Sequence, residues 1–233
     1  MKYSQRNSVS LLSTNGLKSD KIKVRIEKMK DTSIFVVEDH SLTNLGIRQF
    51  FSERPHFTCS GFASESEEAI NKLAELAAQN KLPDVLILDL NLGECSGLDI
   101  LKVVRDKYPT VKVVVHSMYT NPGILSLALD YGALGFVSKD SMEDELLRAV
   151  TDVVNGGSYV QQSLVTSLFT YRNLLDSLTR QEQNIFKKII ERKDNEKIAA
   201  ELNLTLRSVE NYLSRIYGKT GCRGHEELIK KFG

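Results

Sequence analysis

Four places in this 233-residue chain put charged or hydroxylic side chains directly after a short apolar run. Glu38-Asp39 follows Ile34-Phe35-Val36-Val37, and Asp89 follows Asp84-Val85-Leu86-Ile87-Leu88. His116-Ser117 follows Val111-Lys112-Val113-Val114-Val115, and Ser138-Lys139 follows the weaker run Ala133 to Val137. If these runs are strands of one sheet, three carboxylates, a hydroxyl and an ammonium meet at one edge. Three carboxylates so close repel one another unless a hard cation neutralises them, and an all-oxygen set with few protein ligands suits Mg²⁺ with retained waters. A carboxylate polarised by that cation and flanked by Lys and Ser can accept a phosphoryl group.

The elements that must position these groups are readable from pattern. The runs are short and β-branched, as expected of strands buried on both faces of a parallel sheet, and Phe57 to Phe62 supplies a fifth. Helical spacing fills the intervals: Leu42 to Phe51, Ser66 to Gln79, Leu98 to Lys107, Asn121 to Asp130 and Met142 to Val154. Strand and helix alternating five times predict a doubly wound α/β sheet of five parallel strands over about 120 residues. Ligands of such sheets bind at the carboxyl ends of the strands, where the five side chains lie.

Composition narrows the class. With 41% hydrophobic and 26% charged residues, collagenous and wholly disordered readings fall away. No window approaches 18 consecutive apolar residues, so neither a membrane span nor a signal peptide is expected. Cys59, Cys95 and Cys222 are far apart, which suits free thiols in a reducing cytosol and suggests no zinc site. The net charge of +1 hides a division: +6 over residues 1–30, −9 over 31–155 and +4 over 156–233. An acidic middle and a basic end imply two modules with different partners. The basic one is either a phosphate-backbone binder or simply a solvated face.

Gly156-Gly157 breaks the pattern, and Ser158 to Tyr171 reads as linker. Thr179 with Glu182 forms a capping box that opens a helix bearing Ile185, Phe186, Ile189 and Ile190. Asn195 to Leu202 forms a second helix, Thr205 caps a third with Val209, Tyr212, Leu213 and Ile216 inward, and Glu226 to Lys231 forms a fourth. The second and third helices, joined by Asn203-Leu204-Thr205, make a helix-turn-helix.

"FVVEDH", "VLILDLNLGECSGLDILK", "VVVHSMYTNPGIL" and "ALGFVSKDS" resemble the signature segments of the receiver domain of bacterial two-component response regulators, over about residues 32–154. The resemblance implies a flavodoxin-like receiver with Asp89 as phospho-acceptor. It implies that Glu38, Asp39, Asp89 and the backbone carbonyl of Asn91 hold Mg²⁺. Ser117 would move to the phosphoryl oxygens, Lys139 would pair with them, and Phe136 would be the aromatic switch that packs inward afterwards. "LTRQEQNIFKKIIERKDNEKIAAELNLTLRSVENYLSRIYGKTGCRGHEEL" resembles the C-terminal helix-turn-helix module of LuxR/NarL-type regulators, and "GGSYVQ" resembles the family's linker. Leu206 to Thr220 would then be the recognition helix, with Arg207, Asn211, Ser214, Arg215 and Lys219 as candidates for base and phosphate contact. The implied organisation is an N-terminal basic extension (1–31), a receiver (32–154), a linker (155–174) and an all-α DNA-binding domain of four helices (175–233).

The implied protein is a cytoplasmic, non-enzymatic transcription regulator. It takes phosphate from a sensor histidine kinase, pairs as a homodimer on activation and binds promoter DNA, with no membrane partner. Two rivals stay open: a phosphorylation-independent DNA-binding regulator, and a phospho-accepting adaptor whose last domain binds protein. Several residues depart from the family pattern. Glu38 stands where Asp is commoner, and Gly93 where Pro usually stands, so altered rates are expected more than lost chemistry. Bulky Tyr119 near the site would hinder attacking water. Glu210 stands where a basic residue often faces DNA, and would accept from a cytosine amino group or pair with Arg207 or Ser214. Arg192 and Lys193 replace the usual Gly and apolar residue. His40 and His116 invite a metal or phosphorelay reading, but without partners at a recognisable spacing they read as solvated or packed. Residues 1–30 read as a disordered tail, a basic DNA-directed arm, or a stretch upstream of a translation start at Met29.

Overall fold

The computed structural model describes residues 30–93 and 95–233, so the readings of the N-terminal extension lie outside the described residues. The first half alternates as the pattern requires: β1 (Thr32–Val37), α1 (Ser41–Ser52), β2 (Phe57–Ala63), α2 (Ser66–Ala78) and β3 (Val85–Leu88). A short antiparallel hairpin, β4 (Asn91–Leu92) and β5 (Cys95–Ser96), leads into α3 (Gly97–Lys107). Then come β6 (Lys112–Ser117), α4 (Pro122–Asp130), β7 (Ala133–Ser138) and α5 (Glu143–Val154). The parallel sheet runs β2-β1-β3-β6-β7-β8. Its sixth strand, β8 (Tyr159–Val160), corrects the expected count of five: the chain after Gly156-Gly157 returns to pair with Gly135 and Phe136 of β7. The stretch expected as linker is therefore ordered, and it continues as a 15-residue helix, α6 (Gln162–Asp176).

Strand alternation sorts the core into two layers. Ile34, Val36, Ile87, Val114 and Val137 face one way and pack with Ile47 and Phe51 of α1 and Leu147 and Val150 of α5. Phe35, Val37, Leu86, Leu88, Val115 and Phe136 face the other way, toward α2, α3 and α4. The second layer does not stop at the sheet. It runs on through Tyr171 and Leu175 of α6 into the end segment, made of α7 (Arg180–Ile190), α8 (Asn195–Glu201), α9 (Leu206–Thr220) and α10 (His225–Phe232). Tyr171, Phe186 and Phe232 stack there with ring centroids 5.6–5.8 Å apart.

The helix starts are those that the sequence signals. Thr179 and Glu182 make the full capping box on α7, Asp194 caps α8, Thr205 caps α9, and Gly221 ends α9 in the left-handed region at φ 71°.

The two halves meet on α4. Asp130 takes Lys187 at 2.5 Å and Arg172 at 3.4 Å, and the Tyr131 hydroxyl donates to Glu191. Gly123 is required here, because a Cβ on it would stand 2.3 Å from the Phe232 carbonyl oxygen. Gly123→Ala is therefore expected to push back the last turn of α10 and weaken the seam by about 1–3 kcal/mol, the usual cost of overpacking. Urea unfolding with faster tryptic cleavage between the halves would show it, and an unchanged profile would contradict the contact.

Candidate functional site

The site is built at the carboxyl ends of β1, β3, β6 and β7, which the register brings side by side: Val37 is level with Leu88, Leu88 with Val115, and Ser117 with Ser138. The end of β1 delivers two groups of the expected set, Glu38 and Asp39, and β3, β6 and β7 one each: Asp89, Ser117 and Lys139. Glu38 and Asp89 are 2% and 3% exposed, and Lys139 reaches between them, its Nζ 2.6 Å from a carboxylate oxygen of each. Burial alone would lower the lysine pKa, but the hydrogen bonds and charges of Asp89 and Glu38 outweigh it and hold the pKa above the ordinary value. The ammonium is thus permanently charged at neutral pH.

Asp39 is only partly buried, and one carboxylate oxygen each from Asp39, Glu38 and Asp89 lie within 4.8 Å of one another. His40, expected to be solvated or packed, joins this group. Its Nδ1 lies 2.7 Å from Asp39 Oδ1 and 3.2 Å from Glu38 Oε1, although the ring itself is largely exposed. Adjacency to Glu38-Asp39 was the available signal. Asn91 donates its backbone N–H to Asp89 Oδ1 at 3.1 Å, fixing that carboxylate from the loop side. Gly93 turns that loop at φ 68°, a value proline cannot take, which accounts for glycine there.

Ser117 is fully buried; its hydroxyl accepts from the Tyr119 N–H at 3.3 Å, and its carbonyl accepts the Lys139 N–H at 3.0 Å. Tyr119 is itself exposed beside the site. Phe136 is fully buried in the layer shared with α4, so the inward position expected only after a switch is the one observed. Burial of a whole aromatic ring is reason enough for that placement. Between the loop after Asp89 and the turn that follows α7 lies a cleft of about 350 Å³, lined by Asn91, Gly93, Tyr119, Glu191, Arg192 and Lys193.

On α9, Val209, Leu213, Ile216 and Thr220 are buried, which leaves Arg207, Glu210, Asn211, Ser214 and Arg215 exposed on the opposite side. Arg215 stacks on Tyr212 at 5.7 Å. Lys219 differs from its four companions: its Nζ is held at 2.6 Å by Glu182 and at 3.2 Å by the Ser177 carbonyl. Among the described residues Glu210 pairs with neither Arg207 nor Ser214, contrary to one expectation.

Comparison with known proteins falls on both halves. Residues 34–151 match the family described as response regulator receiver domain, and residues 176–232 match bacterial regulatory proteins of the luxR family. The chain is 30% identical over 204 residues to the transcriptional activator protein ExaE of Pseudomonas putida, covering 84% of this chain and 93% of that one. This chain is a response regulator of the LuxR family. The nitrate/nitrite response regulator protein NarL of Escherichia coli is 27% identical over 210 residues, covering 87% and 95% of the two chains. Among solved structures, RcsB of Salmonella enterica serovar Typhimurium, bound to the promoter rprA with a phosphomimetic, superposes with TM-score 0.65 at 22% identity over 87% of this chain and 98% of that one. This LuxR-family regulator thus joins a receiver to a LuxR-type DNA-binding domain. Its relatives are transcriptional regulators and not enzymes. Among its described residues no helix is long and apolar enough to cross a membrane.

Near Asp89, His116 Nδ1 is buried and has no hydrogen-bond partner among the described residues, and burial with the nearby Lys139 charge lowers its pKa from 6.5 to about 4, against a smaller upward pull from Asp89. The folded state then binds fewer protons than the unfolded one between those two values, so stability is present above pH 6.5 and drains as pH falls toward 4. Between pH 7 and pH 5 the expected loss from this residue is about 2 kcal/mol. Urea titrations at the two pH values should show it, and His116→Gln should remove most of the difference.

Proposed function

We propose that Asp89 accepts a phosphoryl group from the phosphohistidine of a sensor histidine kinase and that the change is read out as altered promoter binding. The observation that carries this is the Lys139 ammonium placed 2.6 Å from both Asp89 and Glu38 at the open edge of the sheet. An Asp89 carboxylate oxygen attacks the phosphorus and the bond from phosphorus to the imidazole nitrogen breaks. The freed imidazole remains on the kinase, and an acyl phosphate forms on Asp89. Lys139 then pairs with phosphoryl oxygens, and the Ser117 hydroxyl turns from the Tyr119 amide to donate to them. Leu42, Met118 and Met142, all exposed at the ends of the loops around the acceptor, offer apolar contact to a protein donor.

The donor set fits Mg²⁺. Glu38, Asp39 and Asp89 against Lys139 leave a formal charge of −2, all the side-chain donors of those acids are hard oxygens, and they lie within reach of one ion. Glu38, Asp39, Asp89 and the Asn91 carbonyl would hold the ion, which supplies charge neutralisation to the transferring phosphoryl group. In the DNA-binding domain, Arg207, Asn211, Ser214 and Arg215 would face bases and phosphates, with Lys219 joining them once released from Glu182. Pairing of two copies would set two α9 helices on half-sites about one helical turn apart, and the setting would be cytoplasmic.

Incubation with Mg²⁺ and acetyl phosphate, followed by intact mass and sedimentation, tests the first half. One phosphate gained by the native chain, none by Asp89→Asn, and a shift from monomer to dimer are expected. Phosphate on the Asp89→Asn chain would contradict the assignment. For the second half, the logarithm of DNA affinity should fall linearly with that of salt concentration. Arg207→Ala should flatten the slope by about one unit if that side chain meets a phosphate. A salt-independent association would favour the adaptor reading, in which exposed Glu210 faces protein.

A further inference from the structure

The outer edge of β7 is closed in a way that points to one residue. β8 pairs with Gly135 and Phe136 and ends at Val160, two residues short of the strand's active end. The next residue, Gln161, completes the edge with both its backbone and its side chain. Its N–H donates to the Phe136 carbonyl at 3.1 Å, and its Oε1 accepts the Ser138 N–H at 2.8 Å. Ser138 is buried, so without this oxygen its amide would lose its partner in a site that solvent scarcely reaches. The next residue, Lys139, is fixed from the opposite side by the Ser117 carbonyl at 3.0 Å. The backbone that aims the Lys139 ammonium is therefore clamped between Ser117 at the end of β6 and Gln161 at the start of the linker helix.

Gln161 is also where the receiver chain becomes the linker helix. It is the N-cap residue of α6, whose Tyr171 and Leu175 are buried in the layer that reaches Phe186 and Phe232 of the DNA-binding domain. A displacement of the β7 end thus enters α6 within one residue.

We propose that Gln161 is a positioning residue for Lys139 and the tie that passes movement of the acceptor edge into the linker helix. This rests on the reading of Asp89 as acceptor. A side chain as long as glutamine is needed because the acceptor oxygen must reach past the last paired strand residue. A hydrogen-bond acceptor is needed because the partner is a backbone N–H.

The test uses the full chain with Gln161→Met, which keeps length and apolar stem but removes the acceptor, and Gln161→Glu, which keeps an acceptor oxygen. Phosphoryl uptake from acetyl phosphate is followed by intact mass across donor and Mg²⁺ concentrations, beside the amide resonance of Ser138 and deuterium uptake over residues 162–176. For Gln161→Met the maximal uptake rate is expected to fall about tenfold, the lower range for partners that orient a reacting group, with half-saturation by Mg²⁺ unchanged. Its Ser138 amide proton should move upfield, and phosphorylation should no longer alter exchange in α6. Gln161→Glu should stay within about twofold of the native rate. A Gln161→Met chain that matches the native rate and exchange response overturns the proposal, as does a Gln161→Glu chain as slow as Gln161→Met. If the native chain itself gains no phosphate, it is the Asp89 reading that fails, and the Ser138 resonance still reports whether the clamp exists.

Discussion

Two carboxylates buried at the edge of a parallel sheet, Glu38 and Asp89, share the single ammonium of Lys139 at 2.6 Å each, and the rest of the receiver is arranged to keep them there. Carboxylates so enclosed are tolerated only with a close cation, and removing that cation would cost on the order of 3–5 kcal/mol. The need fixes the relative ends of β1, β3 and β7, because a slip of one residue would turn every side chain to the other face of the sheet. It also leaves the edge with more negative than positive charge once Asp39 is counted. The same surplus would attract a divalent cation, and a more negative group arriving there would offer Lys139 a second partner.

The energetic demand on such a switch is modest, a few kcal/mol of preference between two arrangements. What matters is that the preference reaches the second domain. Here the route is packed throughout. The layer containing Phe136 continues through α4 and α6 to the aromatic cluster of Tyr171, Phe186 and Phe232. Polar contacts flank it: Asp130 with Lys187 and Arg172, Tyr131 with Glu191. The exposed polar side of α9 lies away from that layer, so the seam holds the domain by α6, α7 and α10 while the groups expected to face DNA stay open to solvent.

The strands and their order of chemistry were readable because strands buried on both faces are almost purely apolar, so β1, β3 and β7 each give way abruptly to a charged residue at or just past the strand end. Asp89 and Lys139 stand out for that reason alone. Capping chemistry placed the helices of the end segment equally well, since Thr179, Glu182 and Thr205 each do locally what their types favour. The sixth strand was not readable: Tyr159-Val160 is two residues long, and its pairing with β7 is a tertiary event without a periodic signature. The place of His40 in the acidic group was signalled only by its adjacency to Glu38-Asp39, which does not say which way an exposed ring turns. The inward tie of Lys219 to Glu182 joins residues 37 apart, and neither position carries a sign of the other.

The most direct measurement of the central claim is a structure of the chain with Mg²⁺ and beryllium fluoride, which stands in for the phosphoryl group. The expected result is the beryllium on an Asp89 oxygen, the cation among Glu38, Asp39 and Asp89, and Lys139 Nζ moved from Glu38 to a fluorine. A structure in which Lys139 still bridges Glu38 and Asp89, with the fluoride bound elsewhere or not at all, would contradict it.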